Sequence, residues 1–207
     1  MNIQNPEQGN GTESVIILAA GSSSRLGRSK QLVEIDGVPL LLKAASTALE
    51  AKFTNVVVVL GAHDDQHKKT IMHLHVEIIT NTEWERGMGS SMKTGLEFVL
   101  KSRPKTNAVV VMVCDQPLLT SAHLAALRDT YKKNSSHIVA SRYGNTIGVP
   151  ALFDQTLFSD MLTIKDAQGA KAIIERHVEY VNTIDWEAGH LDIDTPADLK
   201  VLDSFNG

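Results

Sequence analysis

Short, continuously apolar runs rich in β-branched residues recur along this chain, separated by helix-length amphipathic stretches. That alternation leaves few folds open. Ser14–Ala20, Asn55–Leu60 and Ala108–Cys114 show no sustained polar/apolar alternation, so each reads as a strand covered on both faces. His75–Thr80 and His137–Ser141 are shorter candidates. Helical patterns span Pro39–Ala51, Asp64–His73, Ser90–Lys101, Ser121–Lys133 and Ala170–Arg176. A last one spans Pro196–Ser204, with Thr195 as N-cap and Pro196 at the first helical position. Strands alternating with helices imply right-handed βαβ units, hence an α/β fold of three layers with a mostly parallel sheet in the middle. Ligands of such sheets bind outside the carboxyl ends of the strands. The loops after Ala20, Thr80 and Cys114 should therefore share one edge and build one pocket. Ser141–Phe153, with its two glycines and a proline, reads as strand and turn structure inserted between the main sheet and the last helices.

At 207 residues the chain suits a single domain, expected over 14–207 after a polar, disordered tail over 1–13. With 43% hydrophobic and 21% charged residues the composition is that of a globular protein. A formal net charge of -4 gives no basic face for nucleic acid. The apolar runs are strand-sized, too short for a membrane span, and the N-terminus lacks the apolar core of a signal peptide. A cytoplasmic protein is expected. The one cysteine, Cys114, excludes an internal disulfide and a cysteine zinc cluster.

The residues that carry chemistry lie at strand ends. Gly21, Ser22, Ser23 and Ser24 follow the first strand, and their small side chains let backbone amides approach phosphate oxygens. Arg25 and Lys30, five residues apart, add a planar fork and a point charge suited to polyphosphate. The spacing is neither GxGxxG nor a P-loop. Asp115 follows the third buried strand, where a carboxylate can hold magnesium with substrate phosphates; as a helix cap it would compete with the nearer Thr120 and Ser121. Asp192 and Asp194, two apart in an extended segment, fall on one side of it, although Asp194 could simply stabilise the following helix. In Asn81–Gly95, Ser90 can cap a helix or hold a nucleoside, and Trp84 can be buried. His63, His67, His73 and His75 are spread over helix and strand and read as solvated surface. Cys114 adjoins no base that would activate it.

Leu18-Ala-Ala-Gly-Ser-Ser-Ser-Arg-Leu-Gly-Arg-Ser-Lys30 resembles the signature of the MobA-like nucleotidyltransferases. Asp115-Gln-Pro117 resembles their Gly-Asp-Gln-Pro, with Cys114 in place of the glycine, and Asp192-Ile-Asp-Thr-Pro196 resembles their ending. The likeness runs from about Val15 to Leu202 and is nearest to the molybdenum cofactor cytidylyltransferases. It implies a Rossmann-like nucleotidyltransferase fold with a nucleotide half over about 14–120 and an acceptor half over about 121–207. Nucleotide binding would fall to Leu18, Ala19, Ala20, Gly21, Ser22, Ser23, Ser24, Arg25, Lys30, Asn81, Gly89, Ser90 and Ser91. Arg25, Lys30 and Asp115 would be catalytic. Mg2+ would sit on Asp115 and Asp194, with Asp192 as the substitute for the latter. The acceptor would meet Gln116, Gly148, Pro150 and Lys171, where Lys171 replaces the family's arginine and the acid stands at Asp166. Ala20, where the guanylyltransferase branch has glycine, favours CTP over GTP. The implied reaction joins CTP to molybdopterin and releases pyrophosphate, with a molybdoenzyme as a further partner. A sugar phosphate or another small phosphate as acceptor is the neighbouring alternative. A non-catalytic accessory protein that binds molybdopterin or nucleotide is the alternative of another class.

Overall fold

The computed structural model describes residues 12–23, 26–53, 55–134, 136–195 and 197–198. Ser24, Arg25, residues 1–11 of the expected tail and nearly all of the expected last helix lie outside the described residues. The chain runs through β1 (Thr12–Ala19), a ribbon of β2 (Glu34–Ile35) and β3 (Val38–Pro39), α1 (Leu40–Glu50), β4 (Asn55–Leu60), α2 (Asp64–Ile71), β5 (Glu77–Thr80) and α3 (Met88–Ser102). It continues with β6 (Thr106–Val113), α4 (Ser121–Asn134), β7 (Ile138–Tyr143), β8 (Thr146–Asp154), α5 (Phe158–Thr163), α6 (Ala170–Arg176) and β9 (Val181–Asp185).

Seven strands form one sheet in the order β5-β4-β1-β6-β8-β7-β9. All run the same way except β8, which is antiparallel to both β6 and β7. The β-branched runs take the centre, where both faces must be covered. Along β1 the side chains alternate between two cores. Val15, Ile17 and Ala19 pack towards α1 and α4 with Leu41, Ala45, Leu124 and Leu127. Ile16 and Leu18 pack towards α3 and α6 with Met92, Leu96, Val99 and Ile173. Fully burying each such aliphatic side chain stabilises the fold by about 1.5–3 kcal/mol. The chain steps from β1 outward to β4 and β5, then returns to β6 on the other side of β1. The strand order thus reverses beside β1, and a crevice opens at the carboxyl ends of β1 and β6.

Three expectations are corrected. Ser141–Phe153 is not an insertion beside the sheet: β7 and β8 are part of it, joined by a turn at Gly144 (φ 54°), while Gly148 and Pro150 lie within β8. The edge strand β9 was not foreseen, because its short, half-exposed sequence VNTID has no continuous apolar run. The third correction concerns the histidines. His63, His73 and His75 are exposed, but His67 is wholly buried on the inner face of α2. His123 is buried as well, stacked on Trp186 and bonded through Nε2 to Ser141 Oγ at 2.7 Å. No described helix is long and apolar enough to cross a membrane.

Two predictions follow from this packing. A Cβ on Gly95 would lie 2.6 Å from Ile16 Cγ2 and 3.0 Å from Val59 Cγ2, so α3 can approach the sheet only because that position lacks a side chain. Gly95→Ala gains helix propensity of roughly 1 kcal/mol but overpacks the core, and urea denaturation should show a net loss of about 1–3 kcal/mol. Burial holds His67 and His123 below the usual histidine range, with His63 adding to the effect at His67. Both are neutral in the fold, so unfolding takes up protons once the pH falls below about 6.5. Stability should therefore be full above that pH and decline below it. Melting curves in which His123→Gln reduces this acid-side loss would support the assignment; unchanged pH dependence would reject it for that residue.

Candidate active site

The loop leaving β1 opens a cavity of about 290 Å3 at the crevice. Leu18, Ala19, Ala20, Gly21 and Ser22 line one side, Val113, Cys114 and Asp115 the floor, and Trp84, Gly87, Met88 and Ser91 the opposite wall. The loop is held from behind. Gln31, 1% exposed, donates through Nε2 to the carbonyls of Ala19 (3.0 Å) and Gly21 (2.8 Å). Ser23, at φ 57°, donates its hydroxyl to Gln31 Oε1 and accepts from the Lys30 N–H at 2.9 Å. Ser23 is thus a brace of the loop and not part of the cavity lining.

At the mouth, Lys30 Nζ bonds Asp115 Oδ2 and lies 3.1 Å from Asp194 Oδ1. Three segments far apart in sequence meet there. The alignment of the C-terminal segment follows from one residue: Ile193 is buried with Leu26, Val33, Ile35 and Leu40, and its N–H donates to the Asp115 carbonyl at 3.0 Å. With Ile193 turned inward, its neighbours Asp192 and Asp194 turn towards the mouth. Asp194, and not Asp192, shares Lys30 with Asp115. Asp198 caps the turn, accepting from the N–H groups of Asp194 and Thr195.

The electrostatics follow from this crowding. Burial disfavours the Lys30 charge, but the field and hydrogen bond of Asp115, helped by Asp194, overcome it and hold Lys30 above the ordinary lysine range. Desolvation, then repulsion from Asp115, push the Asp192 carboxyl up to about 6, although the residue as a whole is exposed. Burial, then the Asp115 charge, push the Cys114 thiol up to about 12, which leaves it an inert filler.

Carboxylate oxygens around a partly buried point are the donors a hard divalent cation takes. Asp115 Oδ1 is buried and has no hydrogen-bond partner among the described residues, so it has a lone pair to offer. No group of three or more His, Cys, Asp or Glu converges on one point among the described residues. Two carboxylates completed by substrate oxygens and water therefore fit, which is a magnesium-type arrangement.

The wall formed by 81–91 differs from expectation in its details. Helix α3 starts at Met88 with Gly87 as cap, so Ser90 is not the N-cap. Its hydroxyl sits between the Glu83 and Gly87 carbonyls and accepts from Asn81 Nδ2. Asn81 is 4% exposed and spends its amide on Ser90, Ser91 and the Glu83 N–H. Gly89 faces the opposite way, against the Lys165, Asp166 and Gln168 carbonyls. Of the four expected contacts only Ser91 lines the cavity; Asn81, Gly89 and Ser90 support its wall.

The expected acceptor residues are dispersed. Gln116 Nε2 reaches the Val149 (3.3 Å) and Gly189 (3.4 Å) carbonyls, and its Oε1 is buried without a partner among the described residues. Gly148 makes room for the Tyr143 hydroxyl, and the Pro150 carbonyl accepts from Ser141. Lys171 is exposed on the first turn of α6 and does not line the cavity. The acid at Asp166 pairs with Lys93 and Arg86 and so ties the turn before α6 to the wall. Sequence reasoning missed Gln31, and Trp84 as lining. The first could have been suspected from a glutamine directly beside a cation in a phosphate-type loop.

A family model described as MobA-like NTP transferase domain matches residues 15–181. Nicotine blue oxidoreductase of Paenarthrobacter nicotinovorans is 29% identical over 189 residues, covering 87% of this chain and 91% of that protein. Purine catabolism protein PucB of Bacillus subtilis is 28% identical over 203 residues, covering 90% and 94%. The crystal structure of Rv0371c from Mycobacterium tuberculosis superposes with a TM-score of 0.81 at 23% identity, covering 94% of this chain and 98% of that one. A manganese complex of the same protein superposes at 0.75, with 22% identity over 92% and 97% of the chains. The latter two likenesses speak for the fold alone. The glycine loop, the acid after β6 and the matched family model agree: this chain is a nucleotidyltransferase of the MobA-like NTP transferase family.

Proposed function

We propose that this chain transfers a cytidylyl group from CTP to a terminal phosphate of molybdopterin, with Mg2+ held by Asp115 and Asp194. The observation that carries the reading is the convergence of those two acids on Lys30 at the mouth of the cavity behind Gly21. Ala20 at the strand end, in place of glycine, favours CTP within the family resemblance. The sequence likeness extends over most of two relatives, PucB and nicotine blue oxidoreductase.

An acceptor phosphate oxygen attacks the α-phosphorus of CTP; the new P–O bond forms as the bond to the bridging oxygen breaks and pyrophosphate leaves. The acceptor is already ionised, so no protein nucleophile is needed, and the inert Cys114 is consistent with that. A bound Mg2+ would neutralise phosphate charge between Asp115 and Asp194. Loop amides at Gly21 and Ser22 bind and orient the triphosphate. Lys30, charged throughout the physiological range, stabilises the charge that builds on the departing pyrophosphate. Ser91 and the Trp84 ring bound the nucleoside end of the cavity. Arg25 is assigned to the triphosphate by resemblance and lies outside the described residues.

Pyrophosphate release measured over CTP, GTP, ATP and UTP, with molybdopterin, a sugar phosphate or no acceptor, should peak with CTP and molybdopterin and require a divalent cation. Asp115→Ala should abolish turnover, and Lys30→Ala should lower kcat by about 10²–10³-fold, the usual cost of one transition-state donor. Retained pyrophosphate release by Asp115→Ala would refute the metal assignment. CTP binding without turnover under every acceptor would point to the accessory-protein alternative.

A further inference from the structure

His67 lies in α2, lines no part of the cavity, and is wholly buried, yet its ring is wired to the cavity loop. Its Nε2 is 2.7 Å from Ser29 Oγ. Ser29 Oγ is 2.8 Å from Gln31 Oε1, and Gln31 Nε2 holds the Ala19 and Gly21 carbonyls.

Counting protons fixes the direction of every bond. Carbonyl oxygens only accept, so the Gln31 amide nitrogen must face Ala19 and Gly21 and its oxygen must face the two serines. Ser29 and Ser23 therefore both donate to Gln31 Oε1. With its single proton spent, Ser29 can only accept from His67. The imidazole must then carry its proton on Nε2 and leave Nδ1 bare. Nδ1 is indeed buried with no partner among the described residues, a state a neutral ring tolerates and a charged one does not. Desolvation and the nearby His63 hold the ring neutral.

The far end of this relay sets which way the loop's peptide units face. In a trans peptide the C=O and the following N–H point in opposite directions. Tying the Gly21 carbonyl to Gln31 turns the Ser22 N–H away from Gln31, and holding the Ala19 and Gly21 carbonyls together keeps two carbonyl lone pairs from turning towards an anion. Ser23, the other serine on Gln31 Oε1, receives the Lys30 N–H, so the same knot fixes the backbone of the lysine that joins Asp115 and Asp194.

We propose that His67 is a positioning residue for the phosphate-binding loop, acting through Ser29 and Gln31 to hold its amides in the orientation that receives a triphosphate. The inference rests on the reading of that loop as a triphosphate site. None of the relay's three side chains needs to touch the acceptor. Its loss should thus be felt by one substrate and not the other.

The test uses three variants of the full chain. Ser29→Ala cuts the relay at a half-buried loop position, His67→Phe keeps a ring without the donor, and His67→Gln restores an N–H at similar reach. Hydrogen exchange of the Lys30 amide, which Ser23 Oγ holds through the same knot, should speed up about tenfold in Ser29→Ala and His67→Phe in the ligand-free protein, the effect of losing one neutral hydrogen bond. The KM for CTP should rise by a similar factor while the KM for the acceptor stays put, and His67→Gln should restore most of both. If His67→Phe does not fold, the Ser29→Ala and His67→Gln pair decides. Wild-type exchange rates in a folded Ser29→Ala protein would overturn the relay. So would equal changes in both KM values with no recovery in His67→Gln, which mark a general structural role. If the wild type turns over no triphosphate, the proposed function fails, while the exchange measurement still rules on the relay.

Discussion

The site is organised by one cation between two carboxylates. Lys30 comes from the loop after β1, Asp115 from the end of β6 and Asp194 from the C-terminal segment, and their contact joins all three. In a partly desolvated place like charges cannot be gathered without an opposite one; burial first, and repulsion from Asp115 second, hold the Asp192 carboxyl above the usual range. A cluster of this kind contributes little net stability, because desolvation offsets most of the attraction. What it does is hold two acids from distant segments close together at one edge of the cavity.

The surrounding polar groups divide into those consumed by the protein and those left available. Gln31, Asn81, Ser90 and Ser23 are spent on neighbouring backbone and side chains. Asp115 Oδ1 and Gln116 Oε1 are buried and have no partner among the described residues. Buried polar atoms normally find partners, and of these two only Asp115 Oδ1 belongs to a residue that lines the cavity. The braces also explain how a serine- and glycine-rich loop, cheap to deform, can have a defined shape on a rigid sheet edge.

Much of this was legible before any coordinates. Continuous apolar runs located β1, β4 and β6 within about two residues, because strands buried on both faces are apolar along nearly all their length; the polar exceptions Ser14, Asn55 and Thr106 lie near the strand starts and bond one another. The small residues after Ala20 and the acid after Cys114 followed from where such sheets bind ligands. The misses share a cause. Ser90 and Gly89 read as nucleotide contacts because serine and glycine serve packing, capping and binding alike, and sequence does not say which way a helix turn faces. His67 looked like surface because its neighbours His63, His73 and His75 are polar and exposed, and one buried face on a short helix is a weak signal. Strand β9 was missed because an edge strand needs only half its residues buried.

By itself the sequence determined the layered α/β architecture, the positions of its central strands along the chain, and the residue types stationed at their ends. These depend on local periodicity and on residue type, which the chain carries from one position to the next. Only the tertiary structure decided that Asp194 and not Asp192 meets Lys30, that β7, β8 and β9 extend the main sheet, and that a histidine on a remote helix is tied to the loop. Each of those is a contact between segments tens of residues apart or more. Its geometry is fixed by how buried positions such as Ile193, with its side chain, and Gly95, without one, let those segments pack, and no local pattern records it.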